Sequence, residues 1–307
     1  MNVLVIGTGA IGAFYGSLLA KAGMRVSVQA RADYETVRSS GIKVTSDTGL
    51  GSWHFNPAVV YRHGQEIREK PDVVLLCVKL TPGIDRVGLL KGKLGPDTRI
   101  VLLSNGVEIE EEIAAAFPDH ELISGLAFIC VTRTAPGTIW HQAYGHLALG
   151  NYPTGLTQTA RDLSAAFERA GIRCEITEDI VSARWRKCVW NAAFNPLSVL
   201  SGGLSTADIL NSEEALVRGL MAEVCELAGA LGHPLPADTV DRQIASTRAM
   251  PAYKTSMLLD FEAGRPMETE AILGHAVMAA RRVGFAVPKL EMIYGLMRLR
   301  ELALQNT

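Results

Sequence analysis

The sequence has little that is typical of a secreted, membrane-bound or nucleic-acid-binding protein. No apolar run approaches the roughly 18 residues of a membrane span, and residues 1–6 have neither the basic segment nor the cleavage site of a secretory signal. The 30 basic and 32 acidic residues give a formal charge of -2, with no excess of positive charge to bind phosphate backbones or anionic lipid. Nucleic-acid and membrane partners are therefore not expected.

Cysteine is also scarce, and its spacing excludes the usual metal sites. The five cysteines are odd in number and scattered, without Cys-x-x-Cys or Cys/His spacing: Cys77, Cys130, Cys174, Cys188 and Cys225. Most lie within apolar stretches. We therefore expect buried thiols, no metal, and a reducing, cytoplasmic location.

A glycine-rich turn follows the first apolar run. Residues 3–6 read as a strand and residues 13–20 as a helix. Between them lies the turn Gly7-Thr8-Gly9-Ala10-Ile11-Gly12. In a dinucleotide site the first glycine permits the tight turn, the second lets backbone approach the pyrophosphate, and the third lets helix and strand pack closely. Its position between strand and helix favours a cofactor site over a merely flexible turn.

The residue after the second predicted strand, residues 25–30, bears on which dinucleotide binds. An NAD site places Asp or Glu there for the ribose hydroxyls, whereas this chain has Arg31. A guanidinium suits a 2′-phosphate, so Arg31 favours NADP(H). An ordinary exposed arginine is the alternative, and Asp33 keeps NAD open as a substitute acid.

Two further apolar runs, residues 71–78 and 99–103, are typical of parallel strands covered on both faces. Lys79 follows the first and Asn105 the second, at the carboxyl ends where open α/β sheets bind ligands. A surface lysine and an ordinary Asn-Gly turn are the alternatives.

The two halves of the chain differ in pattern, and 307 residues suffice for two domains. Residues 122–150 read as short strands joined by turns such as 135–138, with a helix over 158–170 and a strand over 173–176. After residue 178 the apolar spacing is helical. The sequence therefore predicts an α/β protein with an N-terminal Rossmann-type dinucleotide-binding domain, 1–177, and a mainly α-helical C-terminal domain, 178–307.

One helix of the second half carries a polar stripe. Lys187, Asn191 and Asn195 recur every four residues, while the other positions are largely apolar. Because an unpaired polar group against a core costs about 1–3 kcal/mol, the stripe should face solvent or line a polar cleft. Pro196 predicts that the helix ends or bends at Asn195.

A second polar cluster flanks the Gly264-Arg265-Pro266 turn. Ser256 precedes the turn and Glu268 follows it. Glu268 falls in the predicted first turn of the next helix, where stabilising the helix dipole is the alternative to a role in a site.

Together these residues resemble the ketopantoate reductases (2-dehydropantoate 2-reductases) over essentially the whole chain. The resemblance is carried by the glycine turn, Arg31, Val78-Lys79, Ser104-Asn105-Gly106, Trp185-Arg186-Lys187 with Asn191, Asn195-Pro196-Leu197, Ser256-Met257, Glu268 and Gly284-Phe285-Ala286-Val287-Pro288.

The resemblance implies NADPH-dependent reduction of a 2-oxo acid, ketopantoate to pantoate in pantothenate and coenzyme A biosynthesis, with Lys187 as the general acid. It implies that substrate is bound by Asn105, Asn191, Asn195, Ser256 and Glu268. It implies that the cofactor is bound by Gly7, Thr8, Gly9, Ala10, Ile11, Gly12, Arg31, Lys79, Asn105 and Glu268, with Arg31 and Lys79 at the 2′-phosphate.

Two departures from the family pattern bear on the substrate pocket: Tyr253-Lys254-Thr255 before Ser256, and residues 126–130, where some members carry threonines. A related NADP-dependent 2-oxo or β-hydroxy acid dehydrogenase with another substrate is therefore an alternative. So is a non-catalytic NADP(H)-sensing protein, although a sensor needs no proton donor such as Lys187. A homodimer is left open.

Overall fold

Short apolar strands build the first part of the chain into one sheet. The computed structural model describes residues 1–250 and 253–305, and ten strands lie within them. They are β1 (Asn2–Ile6), β2 (Arg25–Gln29), β3 (Ile42–Ser46), β4 (Trp53–Phe55), β5 (Val60–Tyr61), β6 (Val73–Leu76), β7 (Arg99–Leu103), β8 (Leu122–Ala135), β9 (Thr138–Asn151) and β10 (Cys174–Ile176). Their order is β4-β3-β9-β8-β7-β6-β1-β2-β5, with β10 paired to β9.

Six strands that are neighbours in the sheet run parallel and are covered on both faces. In sheet order they are β8, β7, β6, β1, β2 and β5. In β1, Val3 and Val5 belong to one apolar cluster and Leu4 and Ile6 to another, which explains the continuous apolar runs in the sequence. The helices of this part are α1 (Ala10–Lys21), α2 (Tyr34–Ser40), α3 (Arg86–Leu90), α4 (Glu111–Ala116) and α5 (Gln158–Arg169). The predicted Rossmann-type architecture is confirmed.

The structure differs from the sequence prediction beyond β7. The predicted short strands of residues 122–150 are wrong: β8 and β9 are a single antiparallel pair of 14 residues each. Register shifts, one of them between Phe128 and Ile129, interrupt the alternation that marks a long strand. Strands β3, β4 and β5 were not predicted. Strands β4 and β5 have only three and two residues, whereas the alternation Ile42-Lys43-Val44 in β3 was a usable signal that the prediction missed.

The second part of the chain is helical, as predicted. Its helices are α6 (Ile180–Leu200), α7 (Thr206–Ala230), α8 (Thr239–Ala249), α9 (Ser256–Glu262), α10 (His275–Arg282) and α11 (Pro288–Gln305), and a π-helical turn (Glu270–Gly274) precedes α10. Helix α6 contributes Trp185, Val189 and Phe194 to the apolar core of this part. Helix α7 is kinked at Glu213, whose backbone dihedral angles are not helical.

Of the two outcomes predicted for α6 at Asn195, an end or a bend, the end is wrong. The helix continues through Pro196 to Leu200, and Asn195 remains helical and 2% exposed. A proline inside a helix costs about 3 kcal/mol. Burial of the flanking Phe194 and Val199, worth about 1.5–3 kcal/mol for each side chain, offsets that cost.

The chain folds into two compact units that do not follow a single cut in the sequence. Unit 1 comprises residues 1–79, 85–104 and 110–180, and unit 2 comprises residues 80–84, 105–109 and 181–307. Backbone hydrogen bonding ties one of the short segments to unit 2, since the Val107 N–H donates to the Ala271 carbonyl at 3.1 Å. Across the residues that the structure describes, no helix has the length and apolar character needed to cross a membrane.

Candidate active site

A cavity of about 210 Å³ in unit 1 lies at the carboxyl ends of β2, β1 and β6. Parallel strands that are neighbours in the sheet bring their carboxyl ends together, which is where open α/β sheets bind ligands. The cavity is lined by Ile6, Gly7, Thr8, Gly9, Gln29, Arg31, Ala32, Asp33, Val78, Leu89 and Arg133.

The geometry of the glycine turn fits a dinucleotide. Gly7 has φ +98, in the region that favours glycine. A Cβ on Gly12 would lie 2.1 Å from the Gly7 carbonyl oxygen, whereas a Cβ on Gly9 would meet no atom of the described residues within 4 Å. Gly9 is the N-cap residue of α1 and has no side chain that could accept hydrogen bonds from the helix. The first backbone N–H groups of α1 are therefore available to an anion. The open space at Gly9 is where the pyrophosphate of a cofactor would approach.

Of the two basic residues predicted to bind the 2′-phosphate, Arg31 lines the cavity and Lys79 does not. Arg31 is exposed in the cavity wall, and its guanidinium has no hydrogen bond or ion pair within residues 1–250 and 253–305. Lys79 is exposed but does not line the cavity; nor do Ala10, Ile11 and Gly12, which form the first turn of α1. The role of Lys79 stays a prediction.

Arg133 of β8 lines the cavity as well, and sequence reasoning missed it. Its guanidinium donates to the Asp33 carboxylate across 100 positions of sequence. Nothing in the local pattern around either residue marks this pairing, which exists only because the fold brings β8 to the residues that follow β2.

The polar stripe of α6 lies in unit 2 and is largely buried. Asn191 is 8% exposed and Asn195 is 2% exposed, while Lys187 is half-buried. A solvent-exposed face, one of the two predicted alternatives, is therefore wrong for both asparagines.

The side-chain amides of the two asparagines have unused hydrogen-bonding groups. In the part of the chain that the structure describes, neither the Asn191 nor the Asn195 side chain makes a hydrogen bond. Their hydrogen-bonding groups are therefore available to a ligand that reaches this part of α6, and such a ligand could satisfy them.

Lys187, Asn105 and Glu268 form a hydrogen-bonded chain. The Lys187 ammonium donates to Asn105 Oδ1 at 2.9 Å, and Asn105 Nδ2 donates to Glu268 Oε2 at 3.0 Å. The other Glu268 oxygen accepts the Leu80 backbone N–H at 3.3 Å. Glu268 is thus bonded to two other segments, and its effect on the dipole of the helix that follows stays an alternative role.

The segment that carries Asn105 is fixed by close backbone contacts. Gly106 has φ +107, and a Cβ there would lie 2.5 Å from the Ala271 carbonyl oxygen. The buried Arg184 guanidinium, one turn before Lys187 on α6, donates to the Gly106 carbonyl at 3.0 Å. The Asn105 amide is thereby held between the ammonium and the carboxylate.

The surroundings of Lys187 make it a weaker base than an ordinary lysine. Burial, reinforced by the positive charge of Arg184, lowers the pKa of Lys187 to about 7, while the Glu268 carboxylate opposes the shift. An ammonium with this pKa exchanges its proton readily near neutral pH.

At the other end of the stripe, α6 meets the start of α9. The Ser198 hydroxyl lies 2.6 Å from the Thr255 hydroxyl, and Thr255 caps α9 by accepting the Leu258 N–H. This contact places Ser256, the exposed first residue of α9, near the Asn195 end of α6. The Tyr253 ring lies 6.5 Å from the ring of Trp190, so the first departure from the family pattern adjoins α6.

Two family models match the chain in succession. Ketopantoate reductase PanE/ApbA matches residues 3–154, and ketopantoate reductase PanE/ApbA C terminal matches residues 179–301. The chain belongs to the ketopantoate reductase family. The predicted resemblance is confirmed.

Individual members of the ketopantoate reductase family align with nearly all of the chain. The structure of 2-dehydropantoate 2-reductase from Methylococcus capsulatus is 62% identical, with a TM-score of 0.95 over 99% of this chain and 98% of that one. A 2-dehydropantoate 2-reductase from Nostoc sp. is 34% identical over 94% of this chain and 92% of its own length.

The fold itself extends beyond these reductases. The ternary structure of D-mandelate dehydrogenase with NADH and anilino(oxo)acetate has a TM-score of 0.89 over 99% of both chains, at 19% identity. At that identity the likeness concerns the fold alone.

Proposed function

We propose that this protein is an NADP-dependent oxidoreductase that reduces 2-dehydropantoate to pantoate, a step of pantothenate and coenzyme A biosynthesis in the cytoplasm. The observation that carries the proposal is the hydrogen-bonded chain Lys187–Asn105–Glu268. Helix α6, which provides Lys187, also carries two buried asparagines whose side chains have no partner among the described residues. The names of the relatives above support the choice of substrate.

The reaction requires a hydride donor, an acid and a fixed substrate. When bound, NADPH would supply the hydride that the C2 ketone accepts. The Lys187 ammonium donates a hydrogen bond to the ketone oxygen, stabilises the negative charge that develops there and then transfers its proton to it. Asn105 and Glu268 keep the ammonium directed and charged, because the carboxylate favours the protonated form.

The other two residues of the polar stripe and the first residue of α9 orient the substrate. In the proposal the Asn191 and Asn195 amides bind the polar groups around the ketone, and the Ser256 hydroxyl binds the substrate carboxylate. The unfilled hydrogen-bonding capacity of the two amides within residues 1–250 and 253–305 supports these roles.

Preference for NADP(H) rests on Arg31 and Asp33. The Arg31 guanidinium is available in the cavity wall, as a 2′-phosphate requires. The Asp33 side chain, which would serve the ribose hydroxyls of NAD, is 4% exposed and already paired with Arg133.

Steady-state turnover tests the proposal directly. Purified protein is mixed with NADPH and, in separate assays, with 2-dehydropantoate, pyruvate and other 2-oxo acids, and loss of the nicotinamide absorbance is followed. We expect 2-dehydropantoate to give the highest kcat/KM. A higher kcat/KM for another 2-oxo acid would identify that acid as the preferred substrate. No turnover with any of the acids would favour a cofactor-sensing protein.

The pKa of Lys187 predicts how the rate depends on pH. Because the acid must be protonated, kcat/KM for reduction should be constant below about pH 7 and fall tenfold per pH unit above it. Oxidation of pantoate should show the opposite dependence. Glu268→Gln should move the break to lower pH, and Arg184→Gln should move it to higher pH, since these charges act on the pKa in opposite directions. If neither substitution moves the pH at which kcat/KM begins to fall, a group other than Lys187 controls the rate.

Asn195→Leu should separate a ligand-binding residue from a structural one. Because the Asn195 amide makes no hydrogen bond within the described residues, its removal should leave the free energy of unfolding within about 1 kcal/mol of wild type while raising KM for the oxo acid about 10-fold or more. Asn211→Ala, an exposed amide on α7, is the control and should change neither quantity. A destabilised variant with an unchanged KM would show that Asn195 is structural. Thermal unfolding and initial rates measure the two effects.

A further inference from the structure

The cavity wall contains a second guanidinium whose position depends on a buried acid. Arg133 reaches the cavity from β8, and its side chain is 41% exposed. One edge of the guanidinium is bound by Asp33, which leaves its remaining N–H groups for the cavity or for solvent.

Asp33 is fixed from two sides. One carboxylate oxygen accepts from Arg133, and the other accepts the Gly137 backbone N–H at 3.4 Å in the turn between β8 and β9. The residue is 3% exposed. A carboxylate in this setting holds an arginine in place, and little of it remains accessible to ribose hydroxyls.

Arg31 and Arg133 therefore both present positive charge to one cavity, and only Arg133 is neutralised in part. A phosphate dianion has three terminal oxygens and is bound most strongly by several charge-assisted hydrogen bonds. Burial of the partner carboxylate also reduces the screening of its pairing with Arg133, so the guanidinium is held in place before ligand binds.

We propose that Arg133, positioned by Asp33, is a second binding residue for the 2′-phosphate of the dinucleotide, so that the Arg31 and Arg133 pair determines the cofactor preference. Asp33 is then a positioning residue rather than a ribose ligand. This inference rests on the proposed use of NADP(H), and it assigns the specificity to residues of unit 1 alone.

Equilibrium binding tests the inference without turnover. Dissociation constants for NADPH and NADH are measured by fluorescence titration of wild type, Arg133→Met and Arg173→Met, the last being an exposed arginine of the same unit outside the cavity. Arg133→Met should weaken NADPH binding about 10- to 100-fold and NADH binding less than about 3-fold. Arg173→Met should change neither. A variant Arg133→Met that keeps the wild-type NADPH affinity would overturn the inference.

Removing Arg133 alone leaves the Asp33 carboxylate buried without its partner, and the variant could fail to fold for that reason. The double variant Asp33→Asn/Arg133→Met removes both charges and should fold while showing the same selective loss of NADPH affinity. Asp33→Asn alone should weaken NADPH binding about 3- to 10-fold and leave NADH binding within about 3-fold of wild type, because a neutral amide holds the Arg133 guanidinium less firmly than a carboxylate does. If Asp33→Asn instead weakens NADH more than 10-fold, Asp33 is a ribose ligand and the inference fails.

The result for wild type separates this inference from the proposed function. Equal affinities of wild type for NADPH and NADH would refute the proposed cofactor preference itself. A wild-type preference for NADPH that persists in Arg133→Met and in the double variant would refute only the role of Arg133.

Discussion

Replacing Lys187 with methionine should lower kcat for reduction of 2-dehydropantoate about 10²- to 10⁴-fold, the range that a positioned general acid contributes. Methionine retains much of the apolar stem, so the packing of α6 is preserved, but the side chain has no proton to give. Water replaces the acid poorly, because the ammonium is held by Asn105 before the ketone arrives.

The same variant should keep its affinity for NADPH, since the cavity that we assign to the cofactor is built from unit 1 residues. Arg186→Met is the matched control, because Arg186 is an adjacent but exposed cation on α6. It should retain the wild-type rate. Initial rates and fluorescence titration measure the two properties. Wild-type kcat in Lys187→Met would mean that another group donates the proton.

Gly12→Ala should disrupt the glycine turn and with it the cofactor site. The added methyl would lie 2.1 Å from the Gly7 carbonyl oxygen and 3.0 Å from Cys77 Cβ. Backbone cannot rotate away as a flexible side chain would, so we expect a loss of about 3 kcal/mol or more in the free energy of unfolding. NADPH affinity should fall at least about 10-fold with it, since the turn has to shift.

Gly9→Ala provides the contrast, because its methyl would meet no atom of the described chain within 4 Å. Its free energy of unfolding should stay within about 0.5 kcal/mol of wild type. NADPH affinity should nevertheless fall, because the methyl occupies the space that we assign to the pyrophosphate. Chemical denaturation and fluorescence titration measure both effects. A stable Gly12→Ala variant would contradict the close packing, and normal NADPH binding by Gly9→Ala would contradict the position of the pyrophosphate.

Elements whose pattern is local could be predicted from the sequence. Strand β7 agrees to the residue, and β1 and α5 agree within one residue at each end, because apolar periodicity and a nearby glycine or capping residue define them. Helix α11 could not be found in this way. Met292, Leu296, Leu299 and Leu302 are exposed, so apolar residues lie on more than one of its faces and blur the stripe.

The candidate site was predictable in part for the same reason. The spacing of Lys187, Asn191 and Asn195 is a property of one helix, and it is visible in the sequence. The pairing of Lys187 with Asn105 spans 82 positions, and the pairing of Asn105 with Glu268 spans 163, so only the fold reveals the chain that they form. Arg184 and Arg133 were missed because each acts through a distant partner, Gly106 or Asp33.

Pro196 illustrates the limit of a local rule. The residue before a proline usually leaves helical geometry, and the rule predicted that the helix would end or bend at Asn195. Packing of Phe194 and Val199 overrides it here. Asn195 is therefore buried on a continuous helix, in line with Lys187, and not at a frayed end.

Transfer of deuterium from cofactor to substrate tests the central claim most directly. NADPH that carries deuterium at the transferable position of its nicotinamide ring is mixed with enzyme and 2-dehydropantoate, and the product is analysed by mass spectrometry and NMR. The account predicts pantoate with one deuterium, bound to C2, formed in equal amount to the NADPH consumed. Consumption of NADPH without deuterium at C2 of pantoate, or no consumption at all, would contradict it.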